Sequence, residues 1–219
     1  MKTIYYQNRN YTILGNLKSS IFLMYLVDES NPEDYEQIYQ KISNEYQLCM
    51  ISVSIHDWQG ELSPWPAPAI FGKHDFAGNA ATFLAELEGF WKWFKDEHNI
   101  ESNQVYLCGY SLAGLFTLWA STHTNTFQKI AAVSPSVWFL NFVQYMQQNQ
   151  VHASEVYMSL GDKEANAKNK VMATVKACFD AVIQHLQKQD IRLTYEYNPG
   201  NHFQDVELRM TKGIRQLLL

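Results

Sequence analysis

One serine, a later histidine and two carboxylates between them stand in an order that suits nucleophilic acyl chemistry. The serine is Ser111, in the run Val105-Tyr106-Leu107-Cys108-Gly109-Tyr110-Ser111-Leu112-Ala113-Gly114. An apolar strand runs into Gly-x-Ser, then into small residues, then into an apolar helix. A hydroxyl attacks a carbonyl only when a base takes its proton and donors receive the charge on oxygen. A sharp strand-to-helix turn presents the hydroxyl for that attack, and the helix start supplies a backbone N–H, here that of Leu112. As a bare pattern Gly-x-Ser-x-small recurs by chance, and a helix-capping serine after a glycine turn uses the same residues. The strand on one side and the helix on the other separate the two readings.

Four histidines follow the serine: His123, His152, His185 and His202. His123 comes directly after the serine's helix, His152 sits in a polar linker, and His185 is inside a helix near its solvated face. Only His202 falls in a loop after the last strand, within Asn198-Pro199-Gly200-Asn201-His202-Phe203. It is the candidate base. The acid should follow the preceding strand, where Leu160-Gly161-Asp162-Lys163-Glu164 offers both Asp162 and Glu164. Either could orient the imidazole and stabilise its cation. Asp162 reads equally as a turn residue and Glu164 as a solvated residue at a helix start.

A second oxyanion donor is expected after the second strand of the apolar series, from the backbone N–H of Asp57 or Trp58. The same loop carries Leu62, Trp65, Ile70, Phe71 and Phe76. The expected substrate pocket comprises Trp58, Trp65, Tyr110 and Phe76, although some of these aromatics would serve as well as loop anchors. His56, Asp57, His74 and Asp75 are of types that bind metal, but their spacing matches no ligand pattern. The expectation is no metal and no cofactor.

The elements that must position these groups alternate. Strands are expected at 20–27, 48–55, 105–108, 130–133, 156–160 and 191–197. Helices are expected near 35–42, 80–98, 112–121, 138–147, 167–187 and 204–218, the first opened by a start signal at 28–32 with Pro32. Residues 56–78 hold Pro64, Pro66 and Pro68 with Gly60, Gly72 and Gly78, which argues against regular structure. The first 17 residues suggest a short hairpin. Continuous apolar strands alternating with helices give an α/β fold, a mostly parallel central sheet with helices on both faces.

The chain of 219 residues, 47% hydrophobic, suits one domain across 1–219 without disulfides or metal. Its net charge of −5 is dispersed, with no basic stripe for nucleic acid. The longest apolar run, 21–27, is too short to span a membrane, and the first residues lack a signal-peptide core. Cys49, Cys108 and Cys178 are odd in number and widely spaced, as reduced thiols of a cytoplasmic protein would be. The expected partner is a small-molecule ester, with neither nucleic acid nor membrane, and a homodimer stays open.

These stretches resemble the putative esterase family of the α/β-hydrolases, the group around esterase D and the siderophore esterases. The resemblance rests on 58–66 with its Leu-Ser-Pro-Trp-Pro, on 109–114, 134–138, 160–164 and 200–203, in the expected order. It implies an α/β-hydrolase fold, here without a large lid domain, and a serine hydrolase that cleaves carboxylic esters through an acyl-serine. By the resemblance Ser111 is the nucleophile, His202 the base and Glu164 the acid, with Asp162 still in contention. One departure is Ala113, where the family has a second glycine. Two rival readings are a catalytically silent binding module on this fold and a metal-assisted hydrolase.

Overall fold

The computed structural model describes residues 1–28 and 33–219. Beyond Asp28, the helix-start signal at 28–32 lies outside the described residues. In chain order the elements are β1 (Lys2–Tyr6), β2 (Arg9–Gly15), β3 (Ile21–Asp28), α1 (Glu33–Ser43) and β4 (Cys49–Ile55). The short pair β5 (Pro66–Ala67) and β6 (Phe76–Ala77) follows, then α2 (Ala80–His98), β7 (Gln104–Tyr110) and α3 (Leu112–Ala120). The chain continues through β8 (Phe127–Val133), α4 (Phe142–Gln148), β9 (Glu155–Gly161), α5 (Val175–Leu186), β10 (Arg192–Asn198) and α6 (Val206–Leu217).

Eight strands form one sheet in the order β1-β2-β4-β3-β7-β8-β9-β10. From β4 to β10 every neighbour is parallel. The first two strands are the expected hairpin, antiparallel to each other and joined antiparallel to β4. Gln7 and Asn8 turn that hairpin with φ of 45° and 68°, the paired positive values of a two-residue turn matched to strand twist. The parallel strands all end at one edge, and Asp28, Ile55, Tyr110, Val133, Gly161 and Asn198 close them there.

Strand periodicity divides the core. In β3, Phe22, Met24 and Leu26 face one helical layer with Phe83, Leu87 and Phe90 of α2. Leu23, Tyr25 and Val27 face the other, with Ile38 and Ile42 of α1 and Met210 and Ile214 of α6. Both faces are covered, which is why β3, β4, β7, β8 and β9 read as continuous apolar runs. Among the described residues, no helix is long and apolar enough to cross a membrane. All three cysteines are free thiols. Burial pushes the Cys49 thiol up to about 12 and raises that of Cys108 as well.

Two helices are shorter than their sequence patterns. The fourth begins at Phe142, not near Trp138, because Asn141 takes a left-handed φ of 60° and the four preceding residues form turns. Trp138 and Phe139 supply apolar residues there, but their rings pack on Phe76 at 6.5 and 5.1 Å. The fifth begins at Val175 after two single 3₁₀ turns, at Glu164–Asn166 and Met172–Thr174. The Asn169 side chain accepts from the N–H groups of Val171 and Met172 at 2.9 and 3.3 Å. That local alternative to helix explains the delay, and it leaves Val171 41% exposed, off the apolar face.

A buried cation ties the antiparallel edge to the irregular segment. Arg9, 3% exposed, donates to both Glu61 carboxylate oxygens at 2.9 Å, to Glu86 at 2.8 Å and to the Ser54 carbonyl at 2.6 Å. Its guanidinium lies over the Phe83 ring, 4.6 Å from the centroid. Glu61 also accepts from the His56 N–H at 3.3 Å. The start of the 56–78 segment is thereby fixed to the sheet.

The turn from β7 to α3 depends on Gly109. A Cβ there would meet the Ala113 carbonyl carbon and oxygen at 2.5 Å and the Ala113 Cβ at 2.7 Å. One missing methyl therefore accommodates the other's presence, and Ala113 fits because position 109 has no side chain. Gly109→Ala is expected to lower the unfolding free energy by about 2 kcal/mol, as overpacking does. A urea midpoint unchanged from wild type would count against this account.

Candidate active site

Ser111 sits between β7 and α3 with φ 60° and ψ −120°. L-residues avoid that region, at a cost of about 1–3 kcal/mol when they are held there. Here three backbone bonds hold it. The Ser111 N–H donates to the Val133 carbonyl at 3.1 Å, and its own carbonyl accepts from Leu115 and Ser136, each at 3.0 Å. The strained turn lifts the side chain out at the C-terminal edge of the sheet.

The loop after β10 brings His202 to that hydroxyl. Ser111 Oγ donates to His202 Nε2 at 3.0 Å, and His202 Nδ1 donates to Glu164 Oε2 at 2.7 Å. Of the two competing carboxylates it is Glu164 that meets the imidazole. Asp162 instead accepts from the Gly200 N–H at 2.8 Å, bracing the histidine loop. Gly200 takes φ +100°. Gly161 lies so close beneath it that a Cβ would meet the Gly200 carbonyl at 2.5 Å.

Glu164 is 6% exposed, and both its carboxylate oxygens are hydrogen-bonded. Its Oε1 accepts from Ser134 Oγ and the Gly161 N–H, both at 2.7 Å, and from Arg209 Nη1 at 3.2 Å. Burial pushes the carboxyl up. The hydrogen bond and charge of His202, with the bonds from Ser134 and Gly161, outweigh burial and hold it below the ordinary carboxylate value. Arg209, 1% exposed, also donates to the Pro199 carbonyl at 2.8 Å, so one guanidinium braces both the acid and the histidine loop. Sequence reading missed Arg209, which lies on α6 with no motif around it. Ser134 lay inside a resembling stretch, but its part there was not read. Its φ of 45° is a second strained turn, after β8.

The remaining candidates are distributed as follows. The Leu112 N–H opens α3 and has no protein acceptor among the described residues. Asp57 and Trp58 follow β4 at the same sheet edge. Asp57 Oδ1 accepts from Gly60 N–H at 2.9 Å, a turn that leaves the backbone of 57 and 58 at the mouth of the edge. The Tyr110 hydroxyl donates to the His202 carbonyl at 2.6 Å, which ties the residue to the histidine loop. Trp65 is a loop anchor, its indole N–H donating to the Leu140 carbonyl at 3.0 Å. Trp58 is half-buried against the main core, and Phe76 lines a hollow with Trp138 and Phe139. His56, Asp57, His74 and Asp75 are not gathered into a metal-binding group: Asp75 instead accepts from the Ala69 N–H at 2.9 Å, and no such group occurs among the described residues.

With that geometry in place, the model of the prolyl oligopeptidase family matches residues 82–197, just over half of the chain. No curated protein matches it. Among solved structures, an IroE-like serine hydrolase from Shewanella oneidensis superposes with a TM-score of 0.79 at 17% identity, covering 99% of this chain and 78% of that one. The siderophore hydrolase EstB from Aspergillus nidulans gives 0.76 at 13% identity, over 98% of this chain and 94% of its own. EstA from the same organism gives 0.74 at 15%, over 99% and 92%. At these identities the likeness establishes the fold, that of the α/β-hydrolases, and agrees with the resemblance drawn from the sequence.

A carboxylate with a lowered folded pKa stabilises the fold above its unfolded value and loses that contribution as pH falls through the folded one. Wild type is therefore expected to lose stability between pH about 6 and about 3 more steeply than Glu164→Gln, which has no such proton to take up. Urea midpoints at a series of pH values check this. Parallel pH profiles for the two proteins would refute it.

Proposed function

The chain belongs to the prolyl oligopeptidase family, and from that premise we propose that it is a serine hydrolase cleaving carboxylic esters through an acyl-serine on Ser111. The observation that carries the reading is the unbroken line from Ser111 Oγ through the His202 ring to Glu164, at 3.0 and 2.7 Å, built on a serine held at φ 60°. A silent binding module has no need to hold a serine in that conformation.

The steps follow from the geometry. His202 Nε2 takes the Ser111 proton as Oγ attacks the ester carbonyl carbon. The carbonyl oxygen becomes an oxyanion against the Leu112 N–H and an N–H of Asp57 or Trp58. The intermediate collapses, and the alkoxide leaves with the proton from His202. Water then gives a proton to His202 and attacks the acyl-serine, releasing the acid and restoring Ser111. Glu164 keeps the Nδ1–H oriented and stabilises the transient imidazolium. Arg209 and Ser134 hold Glu164 in place, and the bonds from His202, Ser134 and Gly161 favour its ionised form.

Peptide hydrolysis, suggested by the family's name, would use the same groups, so nitroanilides belong beside nitrophenyl esters in the assay. Wild type is expected to hydrolyse the esters. Ser111→Ala and His202→Ala should each lose roughly 10³-fold or more in kcat, and Glu164→Gln about 10²- to 10⁴-fold. Ester hydrolysis that survives Ser111→Ala, in folded protein, sinks the proposal.

A further inference from the structure

A hollow of about 540 Å³ lies within the size range of small-ligand pockets. Three chain segments wall it: 67–76, 137–147 and 171–178. Two hydrogen bonds between side chain and backbone stitch those segments together. The Trp65 indole reaches the Leu140 carbonyl at 3.0 Å, and Asn169 Nδ2 reaches the Ile70 carbonyl at 2.9 Å. The inner wall is aromatic. Phe76 and Trp138 are buried to 1% and 7% exposure, and Phe71 packs edge-on to both, at 5.8 and 6.2 Å. Leu140 and Val171 stand at the rim, 50% and 41% exposed.

The segment that begins the wall starts next to the reacting serine. Ser136 Oγ lies 3.3 Å from Ser111 Oγ, and Val137 and Trp138, the next two residues, begin the wall. A larger hollow of about 910 Å³ is walled by residues 17–20 and 98–104, at the opposite edge where β3 and β7 begin. Of these two, the first is the one whose wall continues from Ser136, the neighbour of Ser111 Oγ.

The wall's chemistry is one-sided. None of its fifteen residues carries a formal charge, and its polar side-chain groups are the amides of Asn141, Gln144 and Gln147, the Trp138 indole N–H and the Cys178 thiol. An ionised group pressed into it would lose hydration with no counter-charge in return, whereas an alkyl or aryl group would gain by leaving water. We propose that this hollow is the specificity subsite of the ester hydrolase and takes an uncharged, apolar arm of the ester, a medium alkyl chain or an aryl ring. The proposal rests on Ser111 being the nucleophile. It sets the substrate class apart from esters of charged acids.

Cys178 provides an independent handle. It lines the same hollow, is half-buried and donates weakly to Thr174 Oγ1 at 3.6 Å, while Cys49 and Cys108 are wholly buried. N-Ethylmaleimide should therefore alkylate Cys178 alone and fill the subsite from inside.

The experiment is kcat/KM on nitrophenyl esters from acetate to decanoate, on acetates of alcohols of rising length, and on the succinate half-ester. A rise of roughly tenfold or more along either series is expected, and the series that shows it tells whether the acyl or the alcohol arm enters. The succinate half-ester should fall at least roughly tenfold below an uncharged ester of equal length. Alkylation should cut the ratio of octanoate to acetate turnover in wild type but not in Cys178→Ser, and Val171→Arg should shift preference toward the half-ester. Flat profiles in both series, or ratios untouched by alkylation and by Val171→Arg, overturn the subsite while leaving Ser111-dependent hydrolysis intact. Absence of any Ser111-dependent hydrolysis overturns the ester reading itself.

Discussion

The Glu164 carboxylate, buried and charged, is where the architecture converges. It takes hydrogen bonds from four places in the chain: Ser134 after β8, the Gly161 N–H at the end of β9, His202 after β10, and Arg209 on α6. A carboxylate removed from water is costly unless each of its oxygens is met by donors. Here both are met, and one of the donors is a guanidinium that is itself 1% exposed. The interaction sets more than one side chain. It fixes how the loops after three neighbouring strands approach one another, and so the orientation of the imidazole that faces Ser111.

The serine is fixed by a different device. Its backbone strain is sustained by the parallel pairing of β7 with β8 and by the Ser136 N–H that reaches back to its carbonyl. The sharp turn is possible only because Gly109 presents no Cβ to Ala113. Packing on the serine side and charge on the carboxylate side thus meet at one hydrogen bond, Ser111 to His202. Tyr110 links the two sides directly, since it precedes the serine in sequence and holds the histidine's carbonyl.

Residues 56–78 contribute in a third way. They have little regular structure, so their position depends on side chains tying them elsewhere: Arg9 at the start through Glu61, Trp65 and Asn169 farther along. These anchors turn an irregular segment into one wall of a hollow. The N-terminal hairpin is tied to this segment through Arg9.

The sequence by itself determined the alternation of strand and helix, the strand ends that carry the loops, and the order of serine, acid and histidine. Each of those is local: apolar periodicity, a Gly-x-Ser turn, and a proline- and glycine-rich loop need no distant partner to be recognised. The helix expected from Ala80 to about His98 is found at Ala80–His98 for that reason. The starts of α4 and α5 were misplaced because apolar residues such as Trp138 and Val171 keep a helical rhythm whether they pack in a helix or line a hollow. The choice between Asp162 and Glu164 was likewise beyond spacing, since both follow the same strand. What chose was Arg209 and Ser134, 45 and 30 positions away along the chain. The same holds for the hydrogen bonds that Tyr110 and Trp65 make to the carbonyls of His202 and Leu140. Only the tertiary structure could decide these points, because hydrogen-bond satisfaction of a buried charge is a property of surroundings drawn from many parts of the chain.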